Sequence, residues 1–385
     1  MIPRRYQLKK EAAGVVMRDH PWVFRDTLST AASVFADGDW LRLVDGNNKV
    51  LGYGMFEADG AIAIRVMRRG AAAPDAAWAK ERLAAALGRR EALAKTTDGV
   101  RLVNGESDGL PAVVIDRFGD TLVAQSYSKG ADALARFCAR VLAAELGVPN
   151  VRLTPARRRK AAEIEARTLR GAPPAIGRFT EDGVTFSVDL ASGQKSGAYL
   201  DLRGLRRAVR ALPLAGARVL NTFAFSGMLG RCAELAGAAH ITQVDVSDKA
   251  LAFAREYHVT DPAKHELVTA DVFDWLPAHA PAAPYDLVIV DPPSMTSNKQ
   301  QVPAVLAGYR KLYTAAAPLV APGGVLVAAC CTSRIERAAF DRVVAESLRT
   351  VGGFAKETDL PPEPDHPVGF PQADYLKISL YRRGA

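Results

Sequence analysis

The sequence is poor in cysteine and has no long apolar run. Its 385 residues include four cysteines, and no two of them form a Cys-x-x-Cys pair. Without such a pair, the sequence supports neither a zinc ribbon nor a disulfide framework, so we predict no metal site. No apolar run approaches the roughly 18 residues that span a membrane. The opening MIPRRYQLKK is charged and lacks a following apolar core, so we expect no secretory signal and a cytoplasmic protein.

Positive charge predominates, with 50 lysines and arginines, 42 acidic residues and a net charge of +8. This excess favours an anionic partner, although ordinary surface charge is the alternative. One basic cluster includes Lys9 and Lys10 and lies near the aromatic stretch 20–24. A second cluster contains four consecutive cations, Arg157, Arg158, Arg159 and Lys160. Such a run repels itself unless an anion compensates, which favours nucleic acid, although a solvated helix face stays open.

Shifts in pattern divide the chain into three predicted domains. Residues 1–72 alternate short apolar segments with turn signals, which indicates a small β barrel or curled sheet. Residues 73–187 contain a helical segment at 78–95, two strand candidates between 100 and 128, and a second helix at 131–146, a small α+β domain. Residues 188–385 repeat strand and helix. We therefore predict a parallel α/β domain whose ligand lies at the carboxyl ends of its strands.

The segment 218–245 reads as strand, tight turn, helix and strand, which opens a doubly wound nucleotide-binding sheet. Its turn carries Phe223, Ser226 and Gly227, and the absence of Cβ in glycine would let a ligand lie on the backbone. The dinucleotide fingerprint Gly-x-Gly-x-x-Gly needs a glycine where this chain has Phe225. A ligand without phosphate, such as S-adenosylmethionine, tolerates that change. We therefore favour a methyl donor over a nicotinamide dinucleotide.

Three acids end successive strands of this domain, Asp245, Asp271 and Asp291. In an open parallel sheet these ends converge on one crevice, although acids at such places also cap helices. Asp245 would hold ribose hydroxyls, and Asp271 would hold the adenine amine with Val272 and Phe273 against the ring. Asp291 opens the tetrapeptide Asp-Pro-Pro-Ser, and its prolines predict a rigid platform for a planar acceptor.

Cys330 and Cys331 end the fifth strand of the predicted sheet. Neighbouring strand residues point to opposite faces, so at most one thiol can address the crevice. A buried cysteine usually acts as a small apolar side chain, and we interpret Cys138 and Cys232 in this way. A thiol at the end of a central strand, beside a methyl donor, is instead placed for nucleophilic catalysis.

These motifs together resemble those of the three-domain ribosomal RNA cytosine-C5 methyltransferases, over nearly the whole chain. The segments that carry the similarity are HPWVF (20–24), GESDGLPAVVIDRFGD (105–120), GQKSGAYLD (193–201), NTFAFSG (221–227), VDVS (244–247), DPPS (291–294), ACCTS (329–333), DHPV (365–368) and YLK (375–377). The family has a PUA domain, a central domain and a Rossmann-type methyltransferase domain, in that order. The chain departs from its pattern at Leu202 and at 153–155.

The resemblance implies an enzyme that forms 5-methylcytidine in large-subunit rRNA through a covalent adduct. Cys331 would be the nucleophile and Asp291 its catalytic partner, with S-adenosylmethionine as cofactor. The implied cofactor-binding residues are Tyr199, Asp201, Arg203, Phe223, Ser226, Gly227, Asp245, Val246, Ser247, Asp271, Val272, Phe273, Asp291 and Pro292. The implied RNA-binding residues are Lys195, Pro293, Arg157, Arg158, Arg159, Lys160, Lys9 and Lys10.

Two other functions stay open at this point. A rigid Asp-Pro-Pro-Ser platform also suits methyl transfer to a base nitrogen, which needs no cysteine. A non-catalytic RNA-binding or ribosome-assembly factor with this fold would bind RNA without S-adenosylmethionine. The sequence does not distinguish a monomer from a homodimer.

Overall fold

The computed structural model describes residues 2–155, 166–191, 197–296 and 298–385. The chain divides into two compact units, and the first comprises Met1–Leu200 together with Pro364–Phe370. The second comprises Asp201–Glu363 and Pro371–Ala385. The first unit holds two five-stranded sheets and a two-stranded sheet, and the second holds one seven-stranded sheet. The predicted three-domain boundaries stay a prediction, and the inclusion of 364–370 in the first unit was not expected from the sequence.

The first sheet of the first unit has the strand order β1-β3-β4-β5-β2. Its elements are β1 (Arg4–Gln7), α1 (Lys10–Met17), β2 (Trp22–Phe24), β3 (Trp40–Val44), β4 (Val50–Phe56) and β5 (Ile62–Arg69). Strand β3 shows the alternation on which the prediction rested, since Leu41 and Leu43 are buried and Arg42 between them is exposed. Helix α1 was missed, because its glycine and two valines lower the helix propensity of a short segment.

The second sheet has the order β10-β9-β8-β7-β6 and packs against two helices. Its elements are α2 (Ala76–Arg90), β6 (Gly99–Asn104), β7 (Val113–Phe118), β8 (Thr121–Ser126), α3 (Asp132–Glu145), β9 (Asn150–Pro155) and β10 (Arg167–Arg170), followed by the hairpin β11 (Ile176–Glu181) and β12 (Val184–Asp189). Both predicted helices are confirmed. The segment 100–128 was predicted to hold two strands and holds three, β6, β7 and β8, because the turns at Asp108-Gly109 and Gly119-Asp120 separate them.

A buried ion pair ties residue 365 to the first unit. Arg90 and Asp108 have side chains 1% and 0% exposed, and they form two hydrogen bonds of 2.9 and 2.6 Å. The same guanidinium donates to the Asp365 carbonyl at 3.0 Å. The Asp365 carboxylate in turn accepts from the Arg101 backbone N–H at 3.0 Å. The burial of these charges is tolerable because each has several hydrogen-bond partners.

Replacement of Asp108 by asparagine should destabilise the first unit severely. The change leaves the buried Arg90 guanidinium without its countercharge, and the loss of one partner of a buried pair costs about 3–5 kcal/mol. The matched control is Glu81→Gln, which breaks the surface pair with Arg82 and should cost under ~1 kcal/mol. Urea unfolding of both variants tests this expectation, and equal losses would contradict it.

The seven-stranded sheet of the second unit has the order β15-β14-β13-β16-β17-β19-β18. Strands β13 to β17 pair in parallel, and β19 pairs antiparallel with both β17 and β18. The elements are α4 (Arg203–Ala211), β13 (Arg218–Thr222), α5 (Met228–Leu235), β14 (His240–Asp245), α6 (Asp248–Tyr257), β15 (His265–Thr269), α7 (Val272–Ala278), β16 (Tyr285–Val290), α8 (Val302–Ala316), β17 (Val320–Cys330), α9 (Arg337–Leu348), β18 (Phe354–Leu360) and β19 (Lys377–Arg383).

This sheet confirms the predicted parallel α/β domain, with one difference at its edge. The last strand of the chain, β19, pairs antiparallel with β17. Strand β18, which was missed, forms the edge beyond it. Its sequence FAKETDL is largely exposed and has no apolar alternation, so nothing in it indicates a strand. Charged side chains on an edge strand also discourage pairing with another chain. Among the described residues no helix is long and apolar enough to cross a membrane.

Candidate functional site

The carboxyl ends of β13 to β17 lie side by side at one end of the seven-stranded sheet, because these strands run parallel. We call this end of the sheet the carboxyl edge. Asp245 is the last residue of β14, and Asp291 comes directly after β16. Asp271 lies beyond β15 and caps helix α7, where its side chain accepts from the Phe273 N–H at 2.9 Å. Cys331 comes directly after β17. This edge therefore carries three carboxylates and one thiol.

The turn after β13 has an unusual backbone. Phe223 and Phe225 have φ angles of 56° and 49°, a left-handed conformation that residues with a side chain adopt at a cost of order 1–3 kcal/mol. The Asp245 carboxylate compensates for part of this strain. One of its oxygens accepts from the Phe225 N–H and the other from the Ser247 N–H, both at 2.8 Å. A single side chain thus joins the loops that follow β13 and β14.

Gly227 ends this turn and is the N-cap residue of helix α5. Its φ is 77°, and a Cβ at this position would lie 2.7 Å from Cβ of Ala254 in helix α6. Packing against α6 therefore requires a glycine here, and the approach of a ligand to this turn stays a prediction. Ser226 beside it is buried, and its carbonyl contacts Nδ1 of His258.

The residues around this turn suit a cationic nucleoside. Phe223 packs edge-on against Phe273 with ring centroids 5.8 Å apart, and Val246 is 71% exposed beside Asp245. These side chains offer apolar surface next to a carboxylate whose remaining lone pairs can accept hydroxyl groups. Three carboxylates repel a pyrophosphate and attract a sulfonium, so the donor set fits S-adenosylmethionine better than a dinucleotide.

Several predicted cofactor contacts have other roles in the structure. Arg203 is fully buried and pairs with Glu363 at 3.0 Å. Asp201 accepts a hydrogen bond from the Tyr375 hydroxyl. The Val272 side chain is 1% exposed and belongs to the core, so it offers no surface to an adenine ring and that prediction is corrected. Ser247 caps helix α6 through its hydroxyl.

The remaining predicted residues belong to the first unit or lie outside the described residues. Tyr199 belongs to the first unit, as do Lys9 and Lys10, which are exposed. The structure describes neither Lys195 nor the run Arg157, Arg158, Arg159 and Lys160. Within the described ranges no three histidine, cysteine or acidic side chains gather where they could bind a metal ion.

The two neighbouring cysteines have opposite environments. Strand β17 ends at Cys330, whose side chain is fully buried in the core, and this burial raises the pKa of its thiol. Cys331 lies one residue further and is partly exposed. Its Sγ donates to the Pro292 carbonyl at 3.5 Å. Of the two thiols, Cys331 therefore lies beside the residue that follows Asp291.

Thr332, which the sequence analysis did not single out, connects the Asp-Pro-Pro-Ser loop to the cysteine loop. Its hydroxyl accepts from the Met295 N–H at 3.3 Å and lies 3.3 Å from the Tyr309 hydroxyl. Pro292 is buried beneath the loop, and Pro293 is exposed. The loop thus contacts the cysteine loop through Pro292 and presents Pro293 to solvent. Its role as a platform for a planar acceptor stays a prediction.

Comparison with known proteins assigns the class. A family profile described as S-adenosylmethionine-dependent methyltransferase matches residues 132–382, and a PUA-like domain profile matches residues 7–69. A solved chain from Streptococcus mutans, assigned as a SAM-dependent methyltransferase, covers 98% of this chain and all of its own with a TM-score of 0.83 at 20% identity. The structure of a methyltransferase complexed with SAH matches this chain with a TM-score of 0.84 at 20% identity. The fold and site define an S-adenosylmethionine-dependent methyltransferase with a PUA-like domain.

Curated relatives narrow the class to a family. The ribosomal RNA large subunit methyltransferase of Deinococcus radiodurans is 34% identical and aligns with 97% of this chain and 96% of its own. Ribosomal RNA large subunit methyltransferase I of Shewanella amazonensis is 33% identical over 97% and 98% of the two chains. The chain belongs to the family of these large-subunit ribosomal RNA methyltransferases.

Replacement of Gly227 by alanine should destabilise the second unit more than replacement of Gly216. Both glycines have similar positive φ angles, 77° and 74°, so both variants carry the same backbone cost. Only Gly227 meets a neighbouring Cβ at 2.7 Å, and nothing lies within 4 Å of a Cβ at Gly216. Overpacking should add about 1–3 kcal/mol to the cost of Gly227→Ala. Equal free energies of unfolding in urea would show that helix α6 moves away without cost.

Proposed function

We propose that this chain methylates carbon five of a cytosine in large-subunit ribosomal RNA, through a covalent adduct between Cys331 and carbon six. The names of the relatives support the RNA substrate. One observation carries the chemistry: the partly exposed thiol of Cys331 lies 3.5 Å from the Pro292 carbonyl, beside Asp291 and on the strand edge that carries Asp245. A buried or remote thiol would have favoured a mechanism without covalent catalysis.

The need for a nucleophile follows from the chemistry of the base. Carbon five of cytosine is a weak nucleophile, because the lone pairs of the ring reside on nitrogen and oxygen. The Cys331 thiolate adds to carbon six, a C–S bond forms, and the electron pair of the C5–C6 double bond moves towards carbon five and the ring. S-adenosylmethionine, when bound, would supply an electrophilic methyl group to this position, and its S–CH3 bond would break to release the neutral thioether S-adenosylhomocysteine. A base then removes the proton from carbon five, the double bond re-forms and the thiolate leaves.

Asp291 is the partner of the nucleophile in this proposal. It comes directly after β16 and immediately before Pro292, whose carbonyl contacts the thiol. Its carboxyl group would contact the ring near N3 and stabilise the adduct. A stacked base cannot reach either group, so the target nucleotide must be unpaired or flipped out of its helix. Pro293, exposed on the same loop, would lie against the flipped base.

The methyl donor is proposed to bind along the edge formed by the loops after β13, β14 and β15. Asp245 would hold the ribose hydroxyls, and Asp271 the adenine amine. The exposed Val246 and the Phe223–Phe273 pair would provide the apolar surface. The other proposed contacts are Tyr199, Asp201, Arg203, Ser226, Gly227, Ser247 and Pro292.

A 5-fluorocytidine substrate tests the nucleophile. Fluorine at carbon five cannot leave as a proton, so wild-type protein with S-adenosylmethionine should trap a covalent RNA adduct visible on a denaturing gel. Cys331→Ala should give no adduct. Cys330→Ala is the matched control: it removes the neighbouring thiol, which is buried, and should keep the adduct.

The outcome also separates the alternatives. An equal adduct in Cys331→Ala would overturn the assignment of the nucleophile. Mass spectrometry of the methylated nucleoside distinguishes 5-methylcytidine from a product methylated on a base nitrogen. RNA binding without any methyl transfer would instead indicate a non-catalytic factor.

The PUA-like region is proposed to contact the RNA backbone through Lys9 and Lys10, at the start of helix α1. Both side chains are exposed, and cations at such a place can neutralise phosphates and release counterions. The run Arg157, Arg158, Arg159 and Lys160, together with Lys195, is proposed to bind the same RNA. A cytoplasmic location and a homodimer remain expectations.

Replacement of Lys9 and Lys10 by glutamine should weaken RNA binding and reduce its dependence on salt. Each phosphate contact with a single strand contributes roughly 0.7 to the slope of log affinity against log salt concentration. The double variant should therefore lose up to about 1.4 from that slope. Lys80→Gln, an exposed lysine on helix α2, serves as the control and should leave the slope unchanged. Filter binding of large-subunit rRNA fragments at several salt concentrations measures the affinity and its salt dependence. An unaltered slope in the double variant would show that Lys9 and Lys10 do not contact RNA phosphates.

A further inference from the structure

Lys377 is a buried cation close to the cysteine loop. It is the first residue of β19, its backbone pairs with Cys330, and it is only 2% exposed. Its ammonium group donates to three backbone carbonyls, those of Asp374 at 3.1 Å, Tyr375 at 3.3 Å and Thr332 at 3.5 Å. These bonds can use all three N–H groups and offset part of the cost of removing a charge from water.

The third of these carbonyls belongs to the residue that directly follows Cys331. Cys330 Sγ lies 3.9 Å from the same oxygen, so this oxygen is shared between a thiol and an ammonium. The hydroxyl of Thr332 accepts from Met295 on the opposite loop. Thr332 is therefore held through both its carbonyl and its side chain. Cys331 stands between this residue and Cys330, the last residue of β17.

The charges around this cluster compete. Burial lowers the pKa of Lys377, and the negative forms of Cys330, Cys331 and Asp374 raise it, whereas Arg337 lowers it further. The reciprocal effect of the ammonium is to favour thiolates, and it acts on Cys330 in this direction. Burial raises the pKa of Tyr309 and Tyr313, so both phenols stay protonated near the cysteines. The Tyr309 hydroxyl lowers the pKa of the Cys330 thiol through a hydrogen bond. A cation in a poorly solvated place interacts more strongly than one in water.

We propose that Lys377 is a positioning residue for the Cys331 thiol. Its ammonium fixes the carbonyl that follows Cys331, and it supplies the nearby positive charge that holds the thiol as a thiolate. The value of that thiolate for methyl transfer rests on the proposed function. The effect of Lys377 on the thiol does not, and it can be measured without RNA.

The experiment is the pH profile of Cys331 alkylation by iodoacetamide. Fragment-ion mass spectrometry assigns the label to Cys331 or to Cys330. In wild type the midpoint should lie below the ordinary thiol value of about 8.5, because a lysine nearby lowers it. Lys377→Met should raise the midpoint by about one unit or more. Lys377→Arg keeps the charge and should keep most of the effect. Lys356→Met removes a lysine from the neighbouring strand β18, and this variant should show the same pH profile of Cys331 alkylation as wild type.

Two results would overturn the inference. One is the same midpoint in Lys377→Met and wild type. The other is a wild-type midpoint at or above about 8.5, which needs no variant and so holds even where Lys377→Met does not fold. Adduct formation with 5-fluorocytidine RNA is followed in parallel. A shifted midpoint in Lys377→Met with no adduct in wild type would leave the role of Lys377 intact and refute the proposed function.

Discussion

Parallel pairing of β16 with β17 is the constraint on which the candidate site depends. Val290, the last residue of β16, pairs with Ala328, two residues before the end of β17. This register brings the residues after both strands to the same edge and places the Cys331 thiol against the Pro292 carbonyl. A shift of the register by one residue would exchange the faces of all side chains in β17. Cys330 would then point towards the opposite side, and the buried and exposed thiols would change places.

The second element of the site is a strained turn held by a carboxylate. Phe223 and Phe225 adopt left-handed backbone angles that cost free energy, and Asp245 holds the second of them by accepting its N–H. Because the same side chain accepts from Ser247, one carboxylate joins the loops that follow two strands. Strain that persists next to a cluster of carboxylates is typical of binding sites, where the surrounding structure fixes the geometry before the ligand arrives.

Buried cations recur in both units, and each is satisfied differently. Arg90 has a carboxylate partner, so the loss of that partner leaves a charge without compensation. Lys377 has three backbone carbonyls, which are neutral and belong to loops whose positions it fixes. A guanidinium that forms two hydrogen bonds with one carboxylate gives a contact of fixed geometry within a core. Carbonyls carry no net charge, so they cancel less of the positive potential of an ammonium than a carboxylate would. That potential acts on neighbouring groups, which here include two thiols.

The sequence by itself determined the parallel α/β domain, the PUA-like strands and the family, because alternating apolar patterns and short motifs are local in the chain. It also determined that at most one of Cys330 and Cys331 reaches the crevice, since neighbouring strand residues alternate in direction. It missed α1 and β18, whose residues carry weak local signals, and it made no prediction for the strands β9 to β12. Only the tertiary structure decided that Gly227 is required by Ala254, that Val272 is buried, and that Thr332 and Lys377 hold the cysteine loop. Those facts depend on contacts between residues far apart in the chain, and such contacts leave no periodic pattern in either partner.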